Sequence, residues 1–145
     1  MADLISRPLQ AADFPFCWAL YEASTQSSIA PFMKRSWVSS DEENRFRSIW
    51  TTDNAQLIVC DNQPAGWFCL KEGPQSVVVE HFYVAPSHRK RRIGSILMGY
   101  IIDEAKRQGK KVSLDVIHGS SARTFFEKLG FAEVVQKQVT TELSN

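Results

Sequence analysis

The spacing of apolar and polar positions changes several times along the chain, and each change marks an element. In "LISRPL", Leu4, Ser6 and Pro8 alternate with Ile5, Arg7 and Leu9. That period of two predicts a short strand, which Pro8 ends or confines to a sheet edge. From Asp13 the period lengthens: Phe14, Cys17, Trp18 and Tyr21 fall at i, i+3, i+4 and i+7, one aromatic face of a helix. Beyond the polar "STQSS", Ser40 and Glu43 are spaced as a capping box, and Asp41 and Glu42 suit the positive end of a helix. Phe46, Ile49 and Trp50 supply the apolar stripe of this second, shorter helix.

The period then returns to two. "AQLIVC", "AGWFCLKE" and "SVVVEHFYV" are β-rich runs separated by "DNQP" and by a Gly-Pro pair, residues that supply turn geometry, so three strands in an antiparallel meander are expected. At Ile93 the period becomes helical again: Ile93, Ile96, Leu97, Tyr100, Ile101 and Ala105 share a face, and Gly109 can take a left-handed cap. "KVSLDVI" predicts a fifth strand. A helix opening at Ser121 carries Ala122, Phe125, Phe126 and Leu129 and stops at Gly130, and "FAEVVQKQV" predicts one last strand. A strand, a long helix and a further strand make a βαβ unit, so strands four and five should run parallel. The expected class is α/β (α+β), a mixed and mostly antiparallel sheet flanked by helices.

Composition narrows this picture modestly. The 145 residues suit one domain, residues 1–145, with no repeat or linker in view. A net charge of +1 exerts no global pull on nucleic acid or anionic membrane, so any electrostatic function must be local. Cys17, Cys60 and Cys69 are odd in number, lie among apolar neighbours and lack metal-ligand spacing, which suits reduced thiols in a cytoplasmic protein without a metal. With no basic n-region before an apolar core in "MADLISRPLQ" and no window near the roughly 18 apolar residues of a membrane span, neither secretion nor membrane insertion is expected.

Charge is concentrated at one seam. Arg89, Lys90, Arg91 and Arg92 occupy the turn between a buried strand and the start of the long helix, where backbone N–H groups lack partners and the helix dipole favours an anion. Gly94 removes a side chain where a phosphate would approach. Taken alone, the run reads more readily as a solvated turn than as a phosphate seat.

The order of residues resembles the GNAT superfamily of acyl-CoA-dependent N-acetyltransferases. Its phosphate loop, Arg/Gln-x-x-Gly-x-Gly/Ala after a Val-x-Pro, is similar to Val84-Ala85-Pro86 followed by Arg89-Lys90-Arg91-Arg92-Ile93-Gly94-Ser95. A second signature, Asn-x-x-Ala-x-x-Phe-Tyr-Glu-Lys-Leu-Gly-Phe, is similar to the stretch from Gly119 to Phe131. The resemblance implies strands four and five splayed apart, with acetyl-CoA (coenzyme A) between them and an amine attacking the thioester directly. It implies cofactor contacts at Phe82, Tyr83, Val84, Arg89, Lys90, Arg91, Arg92, Ile93, Gly94, Ser95, Ser121, Phe125 and Phe126. Glu80 sits where several relatives carry a carboxylate that orients or deprotonates the amine, a role for which burial would tune it, and its other reading is a structural carboxylate paired with an Arg or Lys of a neighbouring element. The acceptor wall falls to Tyr21, Glu22, Phe32, Met33 and Trp37.

Three positions depart from the pattern: Arg92 replaces a loop glycine, Gly119 replaces the Asn, and Phe126 replaces the tyrosine that protonates the leaving thiolate in many relatives. Tyr83 is the remaining candidate acid, provided the strand turns it inward. His81, His118 and Asp115 are left between cleft and surface. The expected function is therefore acetyl transfer from acetyl-CoA to a small-molecule or peptide primary amine. A homodimer is compatible with the sequence, and no nucleic-acid or membrane partner is expected. The competing classes are a non-catalytic acyl-CoA sensor and, through "HRKRR", a nucleic-acid-binding domain.

Overall fold

The structure, a computed structural model, describes residues 4–89, 92–120, 122–137 and 139–145. Strand β1 (Leu4–Pro8) leads through a 3-10 turn into helices α1 (Phe14–Ile29) and α2 (Ser39–Ile49). Strands β2 (Ala55–Cys60), β3 (Gln63–Glu72) and β4 (Ser76–Val84) follow, then helix α3 (Ile93–Arg107), strand β5 (Lys111–Ile117), helix α4 (Ala122–Lys128) and strands β6 (Ala132–Gln136) and β7 (Thr140–Ser144). The sheet order is β1-β2-β3-β4-β5-β7-β6. β4 and β5 run parallel, whereas β1–β2, β2–β3, β5–β7 and β6–β7 are antiparallel. Among the described residues no helix is long and apolar enough to cross a membrane.

The chain gathers into two compact units. One comprises Met1–Cys69 and Phe82–His88, the other Leu70–His81 and Arg89–Asn145. The core of the first is aromatic: Phe14, Trp18, Phe46 and Trp67 are buried with Leu9, Cys17 and Leu57, and Tyr21, Trp37, Trp50 and Tyr83 pack against them. Burial of each such large side chain is worth roughly 1.5–3 kcal/mol, enough for this cluster to fix α1 and α2 on the unit's strands. Asp61 (φ 51°) and Asn62 (φ 65°) form the tight β2–β3 turn, because a two-residue hairpin of this hand needs positive φ at both central positions.

In the second unit Val77, Val79, Met98, Val112, Leu114, Val116 and Leu143 are buried, and α3 packs on β5. Gly109 (φ 71°) follows α3 in the expected left-handed conformation.

Three expectations require correction. The last strand is a hairpin: β6 ends at Gln136, the Lys137 N–H donates to the Thr140 carbonyl at 2.7 Å, and β7 returns between β5 and β6. "TTELS" hides this strand because its buried face consists only of Thr141 and Leu143. The capping box at Ser40 and Glu43 does not form. The N-cap is Val38, Glu43 pairs with Arg47 at 3.1 Å, and Ile49 points to solvent. On α3 the buried stripe runs through Ile93, Leu97, Met98 and Ala105, leaving Ile96 and Tyr100 exposed.

Candidate functional site

The parallel pairing of β4 with β5 runs from Ser76↔Lys111 to Val79↔Leu114, although β5 continues to Ile117. At the end of this register lies a cavity of about 440 Å³, lined by Val78, Val79, Glu80, His81, Ser113, Leu114, Asp115, Lys137 and Glu142. The β5–β7 register sets Asp115 opposite Glu142, so both carboxylates share one face of the sheet. Lys137, on the β6–β7 turn, donates to the two Asp115 carboxylate oxygens at 3.1 and 3.3 Å and lies 3.7 Å from Glu142 Oε1. Burial lowers the pKa of His81 against the opposing pull of Glu80, which keeps the imidazole neutral near pH 7.

Glu80 is exposed, not buried as expected. Its neighbours on the strand alternate, and its side of β4 opens to solvent at this point. It therefore lines the cavity from an exposed position.

The N-terminus of α3 belongs to the same unit. Arg92 holds the left-handed conformation, φ 59° and ψ 17°, and its carbonyl accepts the Ile96 N–H at 2.9 Å. The helix thus begins directly after a backbone geometry that glycine adopts without strain. The first N–H groups of the helix have no intrahelical carbonyl to bond. Arg89, Arg92 and Ser95 are exposed, whereas the Ile93 side chain is 2% exposed and can contribute to a ligand only through its backbone. Lys90, Arg91 and Ser121 lie outside the described residues. Phe126 is buried against Phe125 and Phe131 at ring separations of 4.9 and 5.6 Å.

The other predicted residues lie in the first unit. The Tyr83 ring sits 5.4 Å from Trp67 and 6.0 Å, edge-on, from Tyr21. Burial pushes its phenol far above the ordinary tyrosine range, with Tyr21 adding to the rise and a hydrogen bond with Thr25 opposing it. Tyr21 stacks on Phe46 at 4.5 Å. Trp37 Nε1 donates to Glu22 Oε2 at 2.9 Å, which brings two of the acceptor-wall residues together and gives Glu22 an internal partner. Phe32 is exposed and Met33 half-buried. Phe82 packs its ring 6.0 Å from Phe68.

Residues 15–131 match the family model described as acetyltransferase (GNAT) family. The chain belongs to the GNAT acetyltransferase family. It is an N-acetyltransferase, and enzymes of this family generally use acetyl-CoA. A ribosomal-protein-alanine N-acetyltransferase of Haemophilus influenzae is 24% identical over 127 residues, which cover 87% of this chain and 80% of that protein. The fold is similar to that of the PaiA N-acetyltransferase of Thermoplasma acidophilum, solved with coenzyme A. The TM-score is 0.73 and the identity 17%, covering 99% of this chain and 98% of the other. It is also similar to the ribosomal-protein-alanine N-acetyltransferase of Escherichia coli, with a TM-score of 0.67 and 16% identity, covering 98% and 91%.

Against the GNAT pattern, Arg92 stands in for a loop glycine and holds a positive φ of 59° that glycine adopts without strain, and Gly119 (φ 83°) stands in for an Asn at a position where Asn would also be tolerated. The sequence pointed to Glu80 and the basic loop, and it left Asp115 open. Lys137 and Glu142 were missed because they enter the cavity only through the unrecognised β7 hairpin.

Proposed function

We propose that the protein moves the acetyl group of acetyl-CoA to a primary amine by direct attack, in the reducing cytoplasm where its three buried free cysteines would persist. The observation that carries this reading is the cavity at the end of the β4–β5 register, with Glu80, Asp115 and Glu142 in its wall. An amine arriving as an ammonium needs carboxylates to hold it and a base to relieve it of a proton.

The bound cofactor supplies an activated thioester. The residues fit its anionic end: Arg89 and Arg92 would hold phosphate oxygens with the backbone N–H groups of Ile93, Gly94 and Ser95, as would Lys90 and Arg91 beside them. Main-chain groups of Phe82, Tyr83 and Val84 would orient the pantetheine arm, with Ser121, Phe125 and Phe126 bordering it. Glu80 would take the amine's proton, directly or through water. Tyr83, whose phenol stays protonated into strongly alkaline solution, is the side chain proposed to return a proton to the departing thiolate. Tyr21, Glu22, Phe32, Met33 and Trp37 would wall the acceptor. The activity named for the Haemophilus influenzae relative makes a peptide N-terminus the acceptor to try first.

Thiol release from acetyl-CoA should be followed with an alanine-terminated peptide, a polyamine, an amino acid and an aminoglycoside. Glu80→Gln should lower kcat/KM by about 10²–10⁴, the usual span for general-base catalysis, and leave CoA affinity unchanged. CoA binding without turnover of any amine would instead make the protein a binding module.

A further inference from the structure

We infer that Lys137 is an acceptor within its own chain: the enzyme acetylates the Lys137 Nζ in cis, at the carboxylate-lined cavity beside β4 and β5. The inference rests on the acetyl-transfer reading above. Lys137 is the lysine among the residues lining that cavity, and its own N–H donates to the Thr140 carbonyl at the head of β7. Its ammonium is drawn into the cavity by Asp115 and Glu142, the arrangement an external amine would have to reproduce. The side chain is 46% exposed, and ion pairs at such exposure contribute only about 0–1 kcal/mol. The ammonium is thus positioned but can leave its carboxylates. His81, neutral through burial, and Glu80 line the same cavity and can receive a proton.

The step balances without any oxidant or reductant. Lys137 Nζ loses a proton to His81, Glu80 or water. Its lone pair then forms a bond to the acetyl carbonyl carbon, the carbon–sulfur bond breaks with its electrons leaving on sulfur, and the second proton, shed by the now cationic nitrogen as it becomes an amide, is the one the thiolate takes up. The products are Nε-acetyl-lysine and free CoA. Loss of the charge frees Asp115 and Glu142 from their internal cation, leaving the cavity more negative and more attractive to a cationic acceptor.

Two labelling experiments on the full chain test this, each read by peptide mass mapping. With a small amine-reactive acetylating reagent and no CoA, Lys137 should react more slowly than the exposed Lys34, because its Nζ is held against Asp115 and Glu142, and Asp115→Asn should narrow the difference. With acetyl-CoA and no added amine the order should invert. Lys137 should then be modified on the order of tenfold or more faster than Lys34, the advantage of a positioned group, at a first-order rate independent of protein concentration and rising with pH. The same order of reactivity with both reagents would reduce the modification to surface chemistry and overturn the proposal. A rate proportional to protein concentration would place the transfer between copies and overturn the assignment in cis. Thiol release with external amines but an unmodified Lys137 would sink the proposal while leaving acetyl transfer standing. Absence of both would remove the acetyl-transfer reading as well.

Discussion

At Gly66 an added Cβ would run into the Tyr83 carbonyl and stand 3.1 Å from both Val84 Cα and Ile58 Cδ1, so β3 and the end of β4 approach too closely for any side chain. Gly66→Ala should destabilise the protein by about 1–3 kcal/mol, the usual range for overpacking, measured as a lower urea midpoint. The sequence displayed this glycine inside an apolar strand without saying what it faced. Arg92 poses the converse case, a long side chain in the left-handed region. A non-glycine residue there costs roughly 1–2 kcal/mol, and glycine brings back roughly 0.5–1 kcal/mol of chain entropy. Arg92→Gly should therefore melt close to the parent. If the guanidinium meets the pyrophosphate, CoA affinity should fall about tenfold or more. Calorimetry showing undiminished CoA affinity would take Arg92 out of the phosphate site.

Between elements, β1 and the head of α1 are joined by charge. Both terminal guanidinium nitrogens of Arg7, Nη1 and Nη2, donate to the Asp13 carboxylate at 2.9 Å, and the Gln10 N–H adds a bond at 2.8 Å. The bond from Arg7 is the main reason the Asp13 carboxyl titrates below the usual range, with burial opposing it. The unfolded chain protonates this group near pH 3.9 and the folded protein only at lower pH. The contribution is thus present above about pH 4 and is lost as pH falls through the depressed value. Asp13→Asn should be less stable than the parent at neutral pH, and the gap should close in acid. A gap that stays constant across a pH series of urea melts would refute the linkage. Most elements were legible because their buried faces repeat at 2 or 3.6 residues. β7 was not, because its alternation rests on Thr141 and Leu143 alone and its position between β5 and β6 is a property of pairing rather than of composition.

Across the whole molecule, the three thiols are shut away: Cys17, Cys60 and Cys69 are all buried, and burial pushes the Cys17 thiol up to about 12. A thiol reagent should leave the native protein essentially unlabelled and titrate all three cysteines only in denaturant, so that in an assay of acetyl transfer it reads CoA release alone. Native cysteines that label rapidly would contradict this packing. The sequence by itself determined the order of elements from β1 to β6, the parallel relation of β4 and β5 and the basic start of α3. Hydrophobic period, the βαβ connection rule and a run of adjacent charges are all local along the chain. Only the tertiary structure decided that Glu80 is exposed, that Glu22 is engaged by Trp37, and that Asp115, Lys137 and Glu142 meet in one cavity. The Trp37–Glu22 bond depends on a loop returning to α1 across 15 positions. The cavity depends on strand register between residues as far apart as Lys137 and Asp115, 22 positions, where a one-residue slip would turn every strand side chain to the opposite face of the sheet.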